Sequence, residues 1–222
     1  MTLVVLAKAP APGRAKTRLC PPCDPEQAAR LAEAALVDTL TAVAATPSPR
    51  RVVVLDGPAG PWLPAGFDVL SQRGDGLDER LAHAFGDVGA PALLIGMDTP
   101  QLTPARLAAS RRALFEDRVD AVLGPALDGG WWSIGLREPN PAVFLGVPMS
   151  AAHTHTAQLA RLHSLGLRVR ALPPARDVDR IEDAVAVAEE APHTRFAAAL
   201  RSIVTMLPEP EPDVHADLLH HG

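Results

Sequence analysis

The chain has 222 residues, 47% of them hydrophobic and 21% charged, with 21 Lys plus Arg against 26 Asp plus Glu and a formal net charge of −5. That length suits one domain, and the composition excludes wholesale disorder. The acidic balance argues against nonspecific nucleic-acid binding, and no apolar run reaches the about 18 residues of a membrane span.

Residues 2–7 (Thr-Leu-Val-Val-Leu-Ala) form an apolar run that predicts a strand buried on both faces. This amino terminus lacks a basic stretch followed by a long apolar segment and a cleavage site, so the expected compartment is the cytoplasm. A Pro-interrupted, cationic loop follows from Lys8 to Leu19. Cys20 and Cys23 then stand in a C-P-P-C spacing. A redox pair of this type opens a helix directly after a strand, and a structural zinc needs two more ligands, so the pair reads as incidental to the chemistry. Helical periodicity runs over 25–45, with Asp24 as N-cap and Pro25 in the first turn.

Strands are predicted at 51–55 and 67–70, a helix at 77–85, and a buried strand at 92–96 that ends on Met97-Asp98-Thr99-Pro100. A helix opens at Thr103 or Pro104 and runs to about 116, and a strand covers 120–124. The segment from Pro125 to Leu136 follows without an assigned element. A helix at 154–165, a strand at 169–172 and one closing helix over 180–200 complete the domain, placed at 1–206. Residues 207–222 read as a Pro/Glu/His-containing tail. Apolar strands alternating with helices predict an α/β three-layer sandwich with a mostly parallel sheet. In such sheets ligands bind beyond the carboxyl ends of the strands. The loop Lys8–Arg18 and the acids Asp56, Asp98 and Asp128 all fall at such ends.

The first loop supplies Gly13, Arg14, Lys16, Thr17 and Arg18 within six residues. Glycine allows close backbone approach, Arg grips phosphate oxygens through two N–H groups, and Lys adds a point charge. The order is neither that of a Walker A loop nor G-x-G-x-x-G. Phosphate binding is the preferred reading over a solvated basic loop. Asp98, at the end of a hydrophobic strand, is a candidate ligand for Mg²⁺ or Mn²⁺, both of which prefer oxygen donors; capping of the next helix is the alternative. Asp128-Gly129-Gly130 reads equally as a tight turn or as an acid facing an acceptor hydroxyl, as general base or as positioning group. Of Trp131 and Trp132, one is expected in the core and the other in the cleft. Asp177 and Asp179 alternate in an extended segment, so both carboxylates can face the metal, with helix capping by Asp179 as the alternative. His153 and His155 lack a third ligand for zinc and read first as polar surface before a helix, with His153 as a donor to substrate the alternative.

Taken in order, Lys8-Ala-Pro-x-Pro-Gly-x-x-Lys-Thr-Arg-Leu, Gly-x-Asp-x-Pro, Gly-Pro-x-x-Asp-Gly-Gly and Asp-Val-Asp resemble the bacterial DUF-type glycosyltransferase-like family related to CofC and MobA. The resemblance spans about residues 2–200. It implies the A-type nucleotide-diphospho-sugar transferase fold, which is Rossmann-like, together with a nucleotide site and a divalent metal, Mg or Mn. Carried over by motif, Gly13, Arg14, Lys16 and Arg18 look like the phosphate-binding loop, with Lys8 and Thr17 beside them. Asp98 looks like the metal aspartate, Asp177 or Asp179 like the second acidic position, and Asp128 like the substrate-facing acid, next to Gly129, Gly130 and Trp131. Asp56 and the stretch Gln72–Asp78 are expected near the nucleoside. The chain departs from the family at Trp131-Trp132, at Pro148-Met149-Ser150 and at Arg180-Ile181, which bears on the acceptor rather than the fold.

Three functions compete. The leading one is a metal-dependent glycosyltransferase that moves a sugar from a nucleotide-diphosphate donor to a small acceptor, with Asp128 and Lys16 catalytic. The second is a nucleotidylyltransferase, because Lys16-Thr17-Arg18-Leu19 resembles the Lys-Ser-Arg-Leu segment of CofC-like enzymes. It would use a nucleoside triphosphate and a phosphorylated acceptor. The third is a catalytically silent nucleotide-binding protein. None involves nucleic acid or a membrane, and a homodimer stays open.

Overall fold

The most apolar stretches of the chain become the middle of one sheet. A computed structural model describes residues 1–89 and 91–205, so the expected tail at 207–222 lies outside the described residues. Strands β1 (Thr2–Lys8), β2 (Arg50–Asp56), β3 (Asp68–Ser71), β4 (Ala92–Gly96), β5 (Ala121–Pro125), β6 (Trp131–Leu136) and β7 (Val169–Ala171) lie in the order β3-β2-β1-β4-β6-β5-β7. All neighbours pair in parallel except β6, which runs antiparallel to both β4 and β5. The expected mostly parallel α/β sheet is therefore present.

The helices are α1 (Pro25–Ala44), α2 (Leu77–Val88), α3 (Pro104–Leu114), α4 (Thr154–Ser164), α5 (Ile181–Glu190) and α6 (Arg195–Val204). Helix α1 starts as its sequence predicts: Asp24 accepts from the Gln27 N–H at 2.7 Å, and the Gln27 side chain accepts from the Asp24 N–H at 2.9 Å. Strand alternation splits the core between the two faces of the sheet. On one face Leu3, Val5 and Ala7 pack with Leu36 and Leu40 of α1 and Leu107 of α3. On the other, Val4, Val52 and Val54 pack with Leu81 and Phe85 of α2 and Leu162 of α4. A third cluster lies on the far side of α1, where Leu19, Leu31, Val178, Val187, Phe196 and Leu200 meet.

Two elements differ from the expectation. Residues 131–136, for which the sequence predicts no element, are the interior strand β6, which the Asp128-Gly129-Gly130 turn folds back against β5. Asp-Gly between two apolar runs is a hairpin signal, but the run Trp-Trp-Ser-Ile-Gly-Leu lacks a polar face because both of its faces are covered. Ser133, its one polar side chain, is fully buried and donates to the Leu94 carbonyl at 2.8 Å. The single closing helix over 180–200 is instead two, α5 and α6, separated at 191–194. Pro192 has no N–H to continue the first helix, and the Thr194 hydroxyl caps the second by accepting from the Ala197 N–H at 3.1 Å.

Candidate active site

Strand order reverses between β1 and β4: β2 lies on one side of β1, and β4 begins the other half of the sheet. The crevice beyond the carboxyl ends of these two strands is where ligands bind in open α/β sheets. The cationic loop leaves β1 there, and the Met97–Gln101 turn leaves β4 there.

Asp98 does not cap a helix. The cap of α3 is Thr103, whose hydroxyl accepts from the Arg106 N–H at 3.2 Å. The turn carrying Asp98 is stapled to the segment after β7: Val178 N–H donates to the Asp98 carbonyl at 3.0 Å, and Gln101 Nε2 donates to the Arg176 carbonyl at 2.5 Å. Asp179 is likewise not the cap of α5, a position held by Arg180. The result is a cluster in which carboxylate oxygens of Asp98, Asp177 and Asp179 lie within 4.8 Å of one another.

Lys16 enters this cluster from the opposite side. Its Nζ donates to Asp98 Oδ2 at 2.7 Å and to Asp179 Oδ1 at 3.4 Å, and its side chain is only 11% exposed. Arg18 donates to Asp179 Oδ2 at 2.7 Å from the solvent side. Burial works against the Lys16 charge, but Asp98, followed by Asp179 and Asp177, outweighs it and holds the ammonium above the usual lysine range. Asp177 is pushed up to about 7, first by burial and then by the neighbouring charges of Asp98 and Asp128. Negative charge in the cluster is thus only partly balanced by Lys16 and Arg18. Three oxygen donors converging with such an excess fit a hard divalent ion such as Mg²⁺ or Mn²⁺.

Two cavities adjoin the cluster. The smaller, about 230 Å³, is lined by Lys8, Arg14, Lys16, Thr17, Arg18 and Met97, with Asp179 at its edge. Neither Lys8 nor Arg14 forms an ion pair with a described residue. The larger, about 620 Å³, is charged on the side of Asp98, Asp128, Asp177, Asp179 and Asp183 and apolar along Leu77, Leu81, Trp131 and Met149.

Asp128 closes the expected turn and also borders the larger cavity. Its Oδ1 accepts from the Gly130 N–H at 2.7 Å. Gly129 holds that turn against the loop before α4. Its φ is +93°, and a Cβ there would stand 1.9 Å from the Ala152 carbonyl oxygen. Of the tryptophans, Trp131 lines the cleft, and Trp132 is buried with its Nε1 donating to the Pro173 carbonyl at 3.1 Å.

Other expected residues stand apart from the two cavities. Asp56 faces Arg80 at 3.4 Å. Gln72 spans β1 and β2 by donating to the carbonyls of Ala7 and Val54 at 2.8 and 3.2 Å. Asp78 accepts from the Gly146 N–H at 2.9 Å, a bond that lowers its pKa. His153 is exposed at the cap of α4 and lines neither cavity. Cys20 and Cys23 are both free thiols, the second buried in the cluster behind α1. Arg180, Asp183, Met97 and Met149 line the cleft without having been expected there. Asp183 had a legible signal, because it stands three residues after the cap of α5 and accepts from the Arg180 N–H at 3.1 Å.

The family model of DUF2064, described as an uncharacterized protein conserved in bacteria, matches residues 28–151. The chain belongs to the DUF2064 family. The matched stretch contains Asp98 and Asp128, while the loop 8–18 and Asp177 and Asp179 flank it. No curated protein sequence matches the chain. Among solved structures, this DUF2064 protein is similar to a provisionally named nucleotide-diphospho-sugar transferase from Desulfovibrio desulfuricans G20. The two share 26% identity over 93% of this chain and 96% of the other, with a TM-score of 0.82. It also shares its fold with a CMP:2-keto-3-deoxy-manno-octonic acid synthetase complexed with CTP (13% identity, 85% and 98% of the chains, TM-score 0.55). A cytidylyltransferase from Leptospira borgpetersenii is a third such structure (11% identity, 92% and 93% of the chains, TM-score 0.54). The nucleotide-diphospho-sugar transferase fold expected from the sequence is thereby established. No described helix is long and apolar enough to cross a membrane.

Proposed function

We propose that this DUF2064 protein is a metal-dependent glycosyltransferase that moves a sugar from a nucleotide-diphosphate donor to a small acceptor. One observation carries the reading: a loop with Lys8, Arg14, Lys16 and Arg18 stands directly against Asp98, Asp177 and Asp179 at the switch point of the sheet. Anion-binding and cation-binding groups this close suit a diphosphate whose charge is shared between protein cations and a divalent ion. The similarity to the Desulfovibrio protein supports a nucleotide-dependent transferase in general.

Asp98, Asp177 and Asp179 would hold Mg²⁺ or Mn²⁺, which when bound offsets charge on the departing diphosphate. Lys8, Arg14 and Arg18 bind the phosphate oxygens and fix the donor. Gly130 and Trp131 border the acceptor, with the apolar wall of Leu77, Leu81 and Met149 excluding water. The bond from the anomeric carbon to the diphosphate oxygen breaks, and a bond to the acceptor oxygen forms. Asp128 receives the acceptor proton on Oδ2, since Oδ1 is occupied by the Gly130 N–H.

A second reading, nucleotidyl transfer from a nucleoside triphosphate, is favoured by the four cations around the smaller cavity, which also match a triphosphate tail. Thermal unfolding with nucleotide sugars and nucleoside triphosphates, each with and without Mg²⁺ or Mn²⁺, separates the two. A ligand at about 100 times its Kd adds about 2.7 kcal/mol, or about 5–10 °C for a domain of this size. A metal-dependent rise with one nucleotide sugar supports glycosyl transfer. A rise confined to a triphosphate, with pyrophosphate release, transfers the assignment to nucleotidyl transfer. The absence of any rise defeats both.

A further inference from the structure

Lys16 stands out in the sequence and in the backbone. Of 21 basic residues only Lys8 and Lys16 are lysines. Lys16 is also one of three described non-glycine residues with positive φ, at 51° with ψ 39°. That left-handed conformation is uncommon and unfavourable for a residue with a Cβ. The flanking Ala15 and Leu19 are buried, so the peptide around Lys16 is pinned on both sides. The side chain between these pins delivers one ammonium to oxygens of Asp98 and Asp179. An ammonium is a compact point charge, unlike the planar fork of an arginine, and bridges two carboxylates much as a small cation does.

We propose that Lys16 is a resident counter-cation for the acidic cluster, displaced when a divalent ion takes the Asp98 and Asp179 oxygens and thereby released to the diphosphate. The inference rests on the metal reading above and adds an order of events to it. A divalent ion competes with the ammonium for the same oxygens, because the two cations repel at contact distance. Once displaced, the side chain has the smaller cavity beside it, which it already lines with Lys8, Arg14 and Arg18. With Ala15 and Leu19 fixed, the exchange needs a change of side-chain rotamer and a local adjustment at 16–18 rather than a rebuilt loop. Metal and phosphate ligand then reinforce each other, since the metal frees a phosphate-binding cation and the phosphate removes a competitor from the metal site. Linkage requires that coupling to be equal in both directions.

The test uses the full chain and Mn²⁺ alone, titrated without nucleotide and followed by the electron paramagnetic resonance signal of free Mn²⁺. Removing the competing charge in Lys16→Met is expected to tighten Mn²⁺ binding by about tenfold, within the 5–150-fold range of typical couplings. Lys16→Gln does the same should the methionine variant fail to fold, as judged by circular dichroism. Lys16→Arg, which keeps the charge, is expected to bind no tighter than wild type. Acetylation followed by mass spectrometry reads the displacement directly, with Lys8 as the internal reference. Lys16 is expected to be protected in the metal-free protein and labelled several-fold faster with Mn²⁺. Unchanged or weaker Mn²⁺ binding in the neutral variants, or equal tightening in the arginine variant, overturns the counter-cation role and leaves the metal site standing. No Mn²⁺ binding by wild type or any variant overturns both.

Discussion

The two halves of the sheet contribute opposite charges to the cleft, and they do so by different means. The all-parallel half, β3-β2-β1-β4, supplies the cations from one contiguous loop, so Lys8, Arg14, Lys16 and Arg18 are neighbours in sequence as well as in space. The other half, built around the antiparallel β6, brings Asp128 from a hairpin turn and Asp177 and Asp179 from an irregular segment behind the short edge strand β7. Asp98 sits on the seam. A contiguous loop can bind an anion with few constraints from the rest of the chain. The acidic side depends on tertiary contacts, above all the Val178-to-Asp98 and Gln101-to-Arg176 hydrogen bonds. The comparison implies that the direct ligands of phosphate and of metal are lost to different substitutions, even though the two binding events are coupled through Lys16.

The sharpest way to separate them is Asp98→Ala. Turnover with metal is expected to fall by about 100-fold or more, and Mn²⁺ affinity with it, while phosphate binding by the loop persists. Steady-state rates alongside Mn²⁺ titration check this, and a variant that retains full metal-dependent rate breaks the assignment of Asp98. Next in size is Gly129→Ala. With φ at +93° and the Ala152 oxygen in the way, the hairpin turn must shift, and a loss of about 2–4 kcal/mol is expected in denaturant unfolding.

Asp177 gives a pH test of the acidic half. With its pKa raised to about 7, the folded protein keeps a proton that the unfolded chain loses near pH 4, so this residue's contribution to stability falls as pH rises from about 4 to 7. Asp177→Asn, which stays neutral, is expected to approach wild type in urea midpoint only at about pH 4 and below, and to exceed it by a margin that grows up to about pH 7. For the same reason wild-type Mn²⁺ affinity is expected to rise through pH 7, with proton release on binding. The smallest effect is expected for Arg18→Ala. Arg18 is 62% exposed, so loss of its bond to Asp179 costs within about 0.5 kcal/mol of stability, and the change is instead read as weaker phosphate binding.

The same contrast explains what the sequence could say. The loop after β1 was legible because its chemistry is local: glycine and cations within six residues at the end of an apolar run. Asp98 and Asp177/Asp179 were legible as acids at strand ends, but their meeting was not, since it joins positions about 80 residues apart through backbone hydrogen bonds that leave no compositional trace. Strand β6 was missed because a segment covered on both faces loses the alternation that marks a strand. The closing helix was over-extended because its apolar spacing continues past Pro192, although proline is the one residue that cannot continue it. Arg180 was invisible as a cleft residue, since an exposed arginine before a helix has the same sequence signature whichever way the cleft opens.

Leu19 follows Arg18 on the cationic side, and Val178 lies between the two aspartates on the acidic side. Both insert into the one apolar cluster behind α1, formed with Phe196 and Leu200 of α6 and remote from the sheet. The two charged banks therefore share a footing. Their spacing is set by a few side chains on the back of the molecule as well as by the strands that present them. Amide hydrogens of 17–20, 177–181 and α6 should accordingly exchange as one opening unit, slower than the edge strands and faster than β1 and β4, and a truncated side chain at Phe196 should accelerate both banks together.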